Sequence, residues 1–391
     1  MRRFLLIAIA VLVLATIAVF VFGPAAVDRG LNQVLPGGEK VTVSPRARNL
    51  HDLLFVADLH ADPLLWDRNL LAAANHGHVD IPRLITGGVA LQVFAAPTQV
   101  PAGINYEANE LGYDVVTALA VTQGWPRRTW QSPLERARYM AEELQRTADE
   151  SAGRFRIVRT ADELQRFVGE RAVNTDRVAG LLAIEGLHAL EGELGNVDVL
   201  FDAGYRMMGL SHFFDNQLGG SAHGISKAGL SEFGKQVIER MQERHIVIDI
   251  AHASPKMVDD ILAMATTPVV VSHGGVKGTC DGVRNLGDEH LRGVAATGGV
   301  VGIGYWDAAI CEVNVAGIVR AIQYAVSVIG ADHVGLGSDF DGATTVPFDT
   351  TGIPLITQGL LDAGVSAQDI TKIMGGNVRR VLAATLPQAA G

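Results

Sequence analysis

From residue 53 onward the chain repeats one unit: a short apolar run rich in β-branched residues, then a stretch with helical spacing. Eight such runs follow one another, LLFVADLH (53–60), VALQVFAAP (89–97), VAGLLAIEG (178–186), YRMMGLSH (205–212), HIVIDIAH (245–252), PVVVSHG (268–274), GGVVGIGY (298–305) and HVGLGSDF (333–340). Between them apolar residues recur with helical period, as in Gly229 to Arg244, where Phe233, Val237, Ile238 and Met241 share a face, and in Val313 to Ile329. Strands alternating with helices imply parallel βαβ units. Strands apolar along their whole length are buried on both faces, so eight of them fit a closed (β/α)₈ barrel of the TIM type. An open doubly wound sheet is disfavoured, because no GxGxxG follows the first run and polar residues gather at the ends of many runs. The segment 98–177, with a helical pattern from Pro133 to Asp149, is then an insertion after the second strand.

Those run ends carry the chemistry. In FVADLHADP, Asp58, His60 and Asp62 lie two apart, and residues two apart in a strand point to the same side. Glu185, His212, His252 and His273 end four further runs, and Asp339 and Asp341 end the last, where alternation puts both on one side as competitors for a proton-transfer role. In a barrel these ends face one cavity. Burying so many titratable groups together is costly unless a metal or partner satisfies them. Imidazole mixed with carboxylate suits zinc or a similar first-row ion. Three histidines and two carboxylates are too many for one tetrahedral ion with an open position, but suit two ions that share a carboxylate, with Glu185 the natural bridge. Two such ions hold a hydroxide at neutral pH and polarise a carbonyl, which points to hydrolysis. Asp58 is expected to hydrogen-bond in the first loop or to orient a ligand, and His78 and His188 are the remaining histidines expected to line the pocket. A phosphate loop around Gly335, Gly337 and Gly342 is excluded by the turn-rich stretch after it, and no GxSxG elbow offers a nucleophilic serine.

A net charge of −10 argues against a nucleic-acid binder, which needs a basic face. The two cysteines, Cys280 and Cys311, lack thiolate-metal spacing and read as structural, with their pairing left open. Ahead of the barrel, Arg2 and Arg3 precede an apolar run from Phe4 to Phe22 that ends at Gly23-Pro24. That length favours a retained transmembrane helix over a cleaved signal. The basic residues ahead of it should stay in the cytoplasm, which puts the barrel on the far side of the membrane, periplasmic or extracellular. The domain reading is therefore 1–23 anchor, 24–50 linker and 51–391 barrel.

From about Leu53 to Leu382 the chain resembles the membrane (renal) dipeptidases, a metallopeptidase branch of the amidohydrolases, and specifically a bacterial branch. The resemblance rests on DLHAD, AIEGLHAL, GLSHFFDN, DIAHAS, PVVVSHG with RNL eleven residues on, HVGLGSDFDG and GGNVRRVL. It implies two zinc ions per subunit, one on His60, Asp62 and Glu185, the other on Glu185, His252 and His273. It further implies His212 at the scissile region, with Asn216 beside it among the substrate-binding residues, Arg284 on the substrate carboxylate and Asp339 as proton shuttle. The substrate implied is a dipeptide, with a D-residue at the second position accepted. A homodimer stays open, as do two competing functions: hydrolysis of lactones or N-acyl amino acids, and a metal-free binding barrel.

Overall fold

A computed structural model describes residues 2–35 and 41–389. The eight runs form eight parallel strands: β1 (Val56–Ala61), β2 (Val89–Pro97), β3 (Val178–Glu185), β4 (Tyr205–Gly209), β5 (Val247–Asp249), β6 (Val269–Gly274), β7 (Val300–Ile303) and β8 (Val334–Leu336). Each pairs with the next, except that β8 returns to β1 through Leu336 and Asp58, so the sheet closes. Every residue of the eight strands is buried, as strands enclosed by helices must be. The longest pairing, β2 with β3, runs from Leu91 opposite Ala179 to Pro97 opposite Glu185. β4 then sets Gly209 opposite Glu185, and β5 sets Asp249 opposite Gly209. Neighbouring registers thus bring the C-terminal ends of the central strands level, and with them the polar groups that follow.

The surrounding helices start where capping chemistry dictates. Ser231 accepts the Gly234 amide and begins Glu232–Glu243, which buries Val237, Ile238 and Met241. Asn314 caps Val315–Ile329 in the same way. The insertion after β2 is packed onto the barrel rather than set apart from it. Its helix Pro133–Glu150 carries the buried Arg136, whose guanidinium donates to the carbonyls of Thr98 (2.7 Å) and Thr129 (2.7 Å) and pairs with Asp114 (2.5 Å).

Two expectations change at the N-terminus. The first helix, Arg2–Leu31, does not stop at Gly23-Pro24 but continues through a buried Pro24. Its side chains at 2, 12, 14–17 and 19 fall outside the described residues, and among the described residues no helix is long and apolar enough to cross a membrane. The span expected at Phe4–Phe22 therefore gains no support from the fold. The expected linker also shrinks, because Ser44 caps a helix, Pro45–His51, that docks on the barrel. The Ser44 amide donates to Gln358 (2.9 Å), and His51 bonds Thr357 (2.8 Å) and the Gly87 carbonyl (2.9 Å). Helix signals at 24–31 and 44–51 were hidden by the Gly, Pro and Arg around them. Cys280 and Cys311 form a disulfide.

Candidate metal centre and substrate cleft

Two buried aspartates shape the strand ends before any ligand is considered. Asp58, inside β1, accepts from the His60 amide (3.1 Å), Gln92 of β2 (2.9 Å) and the amide and hydroxyl of Ser338 beyond β8 (both 3.0 Å). It ties three neighbouring strands at the level of His60. Asp249 of β5 ties its strand to β6, accepting from the Ala251 amide (3.0 Å) and from the amide (2.9 Å) and hydroxyl (2.5 Å) of Ser272. The Ser272 hydroxyl also bonds His273 Nδ1 (2.8 Å), which turns Nε2 of that ring inward. Asp249, Ser272 and Ser338 were not singled out in the sequence, although the carboxylate inside HIVIDIAH repeats the pattern of FVADLH.

Above this layer the candidate ligands converge. Glu185 Oε1 lies 2.9 Å from His252 Nε2, 3.2 Å from His273 Nε2 and 3.8 Å from His60 Nε2, and its Oε2 lies 3.2 Å from His212 Nε2. His60 Nε2 is 3.3 Å from Asp62 and 3.9 Å from Asp339. The set contains groups of ligand atoms close enough to share an ion: His60, Glu185 and His273; Glu185, His212 and His252; and His60, Asp62 and Asp339.

The electrostatics ask for cations. Burial disfavours charge on His60, yet Asp62, Glu185 and Asp339 outweigh it and push its pKa up to about 10. Burial, with Arg284 nearby, holds His252 well below the ordinary histidine value, and burial with His60 and Arg284 does the same for His273. Both are neutral rings with free electron pairs, their Nε2 atoms 3.0 Å apart. Asp62 Oδ1 and Glu185 Oε1 are buried without a hydrogen-bond donor. Acceptors facing acceptors in a dry site fit metal ions better than they fit each other. Burial raises Glu185 well above the usual carboxylate range, and raises Asp339 to about 8.

The centre opens into a cleft of about 400 Å³ lined by Asp62, Glu185, His212, His252, His273, Arg284 and Asp339. Arg284 is buried, donates to the His273 carbonyl (2.8 Å) and stacks on Trp306 at 5.4 Å. Neither Asp288 nor Glu289 pairs with it, and among the described residues no carboxylate lies within ion-pair distance of its guanidinium. Tyr106 and Trp306 also line the cleft and bond each other, Trp306 Nε1 donating to the Tyr106 hydroxyl at 3.2 Å. No motif marked this pair.

Four expectations are corrected. Asn216 does not reach the cleft: its amide donates to the Leu210 carbonyl (2.7 Å) and its Oδ1 accepts from Leu218 (2.8 Å), so it braces the loop after β4. His188 lies outside the cleft against Thr98 (2.9 Å). His78 is buried beside the loop after β8, where its Nδ1 accepts the Asp341 amide (2.9 Å). Asp341 accepts the amides of His78 (2.7 Å) and Val79 (3.1 Å) and pairs with Arg68 (2.6 Å), so it does not compete with Asp339 for a proton. Strand alternation put Asp339 and Asp341 on one side, but both have positive φ, +60° and +64°, and the chain there is a turn.

A sequence profile of the membrane dipeptidases, peptidase family M19, matches residues 44–390. The chain belongs to that family. An uncharacterised protein from the pqqA 5′ region of Klebsiella pneumoniae is 31% identical over 59% of this chain and 89% of its own. The dipeptidase aclJ of Aspergillus oryzae is 33% identical over 53% of this chain and 51% of its own, so the similarity spans about half of that relative. A metallopeptidase from Rhodobacter sphaeroides, solved with a phosphinate mimic of the dipeptide L-Ala-D-Ala, superposes with a TM-score of 0.71 at 24% identity, covering 85% of this chain and 99% of its own. That likeness establishes the shared barrel. This member of family M19 thus carries its ligand cluster and its cleft at the C-terminal ends of the barrel strands, where such barrels do their chemistry.

Proposed function

We propose that the protein is a binuclear zinc dipeptidase. The observation that carries the reading is the pairing of the metal-ligand cluster with Arg284, a buried guanidinium without a carboxylate partner among the described residues, in one cleft. His60 and Asp62 would hold one ion, His252 and His273 the other, and Glu185 both. When bound, such ions lower the pKa of a coordinated water and polarise a carbonyl.

The chain's own groups then divide the work. Arg284 binds the free carboxylate of the substrate through its planar fork. That fixes the distance from the C-terminus to the reacting bond at about one residue, at most ~3.6 Å of chain, and so selects dipeptides. His212, neutral because burial holds its pKa well below the ordinary value, contacts the scissile carbonyl. Asp339 lines the same cleft, its pKa raised by burial to about 8 in the metal-free site, and is the group that would accept a proton from the attacking water and return it to the leaving amine. Acceptance of a D-residue at the second position is carried over from the ligand of the Rhodobacter sphaeroides structure.

The reading includes attachment to the inner membrane through Phe4–Phe22, with the barrel in the periplasm. Arg2-Arg3 ahead of the apolar run supports that orientation, and the Cys280–Cys311 disulfide suits an oxidising compartment. A reporter active only outside the cytoplasm, fused after residue 50, should be active; a silent fusion removes the topology. Metal analysis of the purified protein combined with a dipeptide screen tests the enzyme. Roughly two zinc equivalents and hydrolysis abolished by a chelator support it, while metal-bound protein that cleaves lactones or acylamides but no dipeptide overturns it.

A further inference from the structure

The profile of the family begins at residue 44, yet the structure has a second segment built into the catalytic end of the barrel. The C-terminal end of the helix Arg2–Leu31 and the residues after it lie along the loop that follows β8. Asp28, buried, pairs with Arg68 Nε at 3.0 Å, and the same guanidinium pairs with Asp341 at 2.6 Å. Asp28 also accepts from Asn32 Nδ2 (2.8 Å), whose Oδ1 in turn accepts the Ala343 amide (2.9 Å). Gln33–Val34 pairs in parallel with Thr345–Val346, through Gln33 N–H to the Thr344 carbonyl (3.1 Å) and Leu35 N–H to that of Val346 (2.9 Å). Leu31, at the helix end, lines the substrate cleft together with Ala343 and Thr344.

The loop so gripped is one that needs holding. Asp339, Asp341 and Ala343 have φ of +60°, +64° and +59°. A left-handed conformation is strained for a residue with a side chain, and three within five positions persist only where the surroundings fix them. Gly342 leaves no slack, because a Cβ there would stand 2.1 Å from Asp339 Oδ1 and 2.9 Å from Asp62 Oδ2. Of the three strained positions, Asp341 is fixed partly through Arg68 and therefore Asp28, and Ala343 through Asn32. Both lines lead back to the segment 28–35.

We propose that residues 28–35 are a strap that belongs to the active site: Asp28 and Asn32 are positioning residues that hold the loop of Asp339 in its reactive place, and Leu31 is a specificity wall of the cleft. The proposal rests on the dipeptidase reading for its kinetic arm only. The strap lies outside the family profile, so the cleft has a wall that the barrel alone does not supply.

The test uses the full chain with Asp28→Ala, Asn32→Ala and Leu31→Trp. Each variant is followed by kcat and KM on dialanine and on a bulky dipeptide, and by hydrogen exchange of amides 339–346. For Asp28→Ala the strap calls for faster exchange in that loop and a fall in kcat of roughly tenfold or more, since misplacement by about 1 Å costs on the order of 10²-fold, with KM for dialanine little changed. Should Asp28→Ala not fold, Asn32→Ala carries the same expectation in milder form. For Leu31→Trp, which is half exposed at the cleft, KM should rise for the bulky dipeptide and stay near wild type for dialanine. Folded variants with wild-type kcat and unchanged exchange overturn the strap. A wild type that cleaves no dipeptide counts against the enzymatic reading instead, and the exchange result then judges the strap alone.

Discussion

The two sides of the ligand cluster lack different things. On the side of β5 and β6, burial keeps His252 and His273 neutral, with their Nε2 atoms 3.0 Å apart and Arg284 3.4 Å from His252. On the side of β1 and β8, Asp62 and Asp339 crowd carboxylates around His60 and raise its pKa to about 10. One side is rich in neutral imidazole nitrogen and the other in negative charge, and Glu185 stands between them with one oxygen, Oε1, 2.9 Å from His252 Nε2 and 3.8 Å from His60 Nε2. A pair of cations answers both deficits at once. Protons answer them only at different pH, which makes the comparison open to experiment.

The strongest way to break it is Glu185→Ala. Without the shared carboxylate the two sides no longer form one centre, so metal content should drop from about two equivalents to one or fewer and kcat by at least ~10³-fold. Elemental analysis and steady-state kinetics on one preparation read both. Full activity at a stoichiometry of one would remove the bridging role.

Next in size is the contrast between two aspartates of one loop. Asp339→Asn keeps the shape and loses the proton carrier, so kcat should fall by roughly 10²–10⁴-fold with metal retained. Its melting temperature near neutral pH should hold, because burial already keeps the Asp339 carboxyl mostly protonated there and the carboxamide is neutral too. Asp341→Asn should do the reverse in stability, costing about 3–5 kcal/mol by leaving Arg68 buried with half its pairing. A near-normal rate for Asp339→Asn would return the role to its neighbour.

A smaller effect sharpens the comparison through pH. In metal-free protein, Asp339 has its folded pKa raised from 3.8 to about 8, so the native state holds a proton that the unfolded state releases. Its contribution is present below about pH 4 and is lost as pH rises to 8. His252 and His273 have folded values below 6.5, so their side loses stability as pH falls through that value and below. Melting temperatures of the chelated protein across pH 4–9 should therefore show Asp339→Asn declining less between 4 and 8 than wild type, and saturating zinc should remove the difference. Identical slopes would contradict the assigned environment of Asp339.

The smallest effect is expected at Asn216. Its carboxamide is spent on Leu210 and Leu218, so Asn216→Ala should lower stability by about 1–2 kcal/mol and leave kcat/KM within a few-fold of wild type. A large loss of kcat/KM at unchanged stability would put it back among the substrate contacts.

Much of this was legible in the sequence, because period and position carry it. Seven of the eight strands fall within their apolar runs and the first passes the end of its run by one residue, Ala61, while His60, Glu185, His212, His252 and His273 are recognisable as polar groups at the ends of apolar runs. What stayed hidden depends on residues far apart in sequence. Asp249 and Ser272 look like ordinary strand residues until β5 and β6 pair and the hydroxyl reaches His273. Asp339 and Asp341 obey strand alternation on paper and break it in the fold, because positive φ turns the chain. The strap at 28–35 carries no periodic signal, and its meaning lies in partners about forty and three hundred residues away, Arg68 and Ala343.

If the buried Arg284 reads the end of the substrate, wild-type enzyme must tell apart two substrates that differ only at that end. Rates of cleavage of a free dipeptide and of the same dipeptide amidated at its C-terminus should differ by roughly 10²-fold or more in kcat/KM, since the amide leaves the guanidinium fork without its charged partner. Arg284→Lys should erase most of that preference by depressing the free substrate. Equal kcat/KM for free and amidated dipeptides in the wild type would contradict the account, because Arg284 would then have no carboxylate to bind.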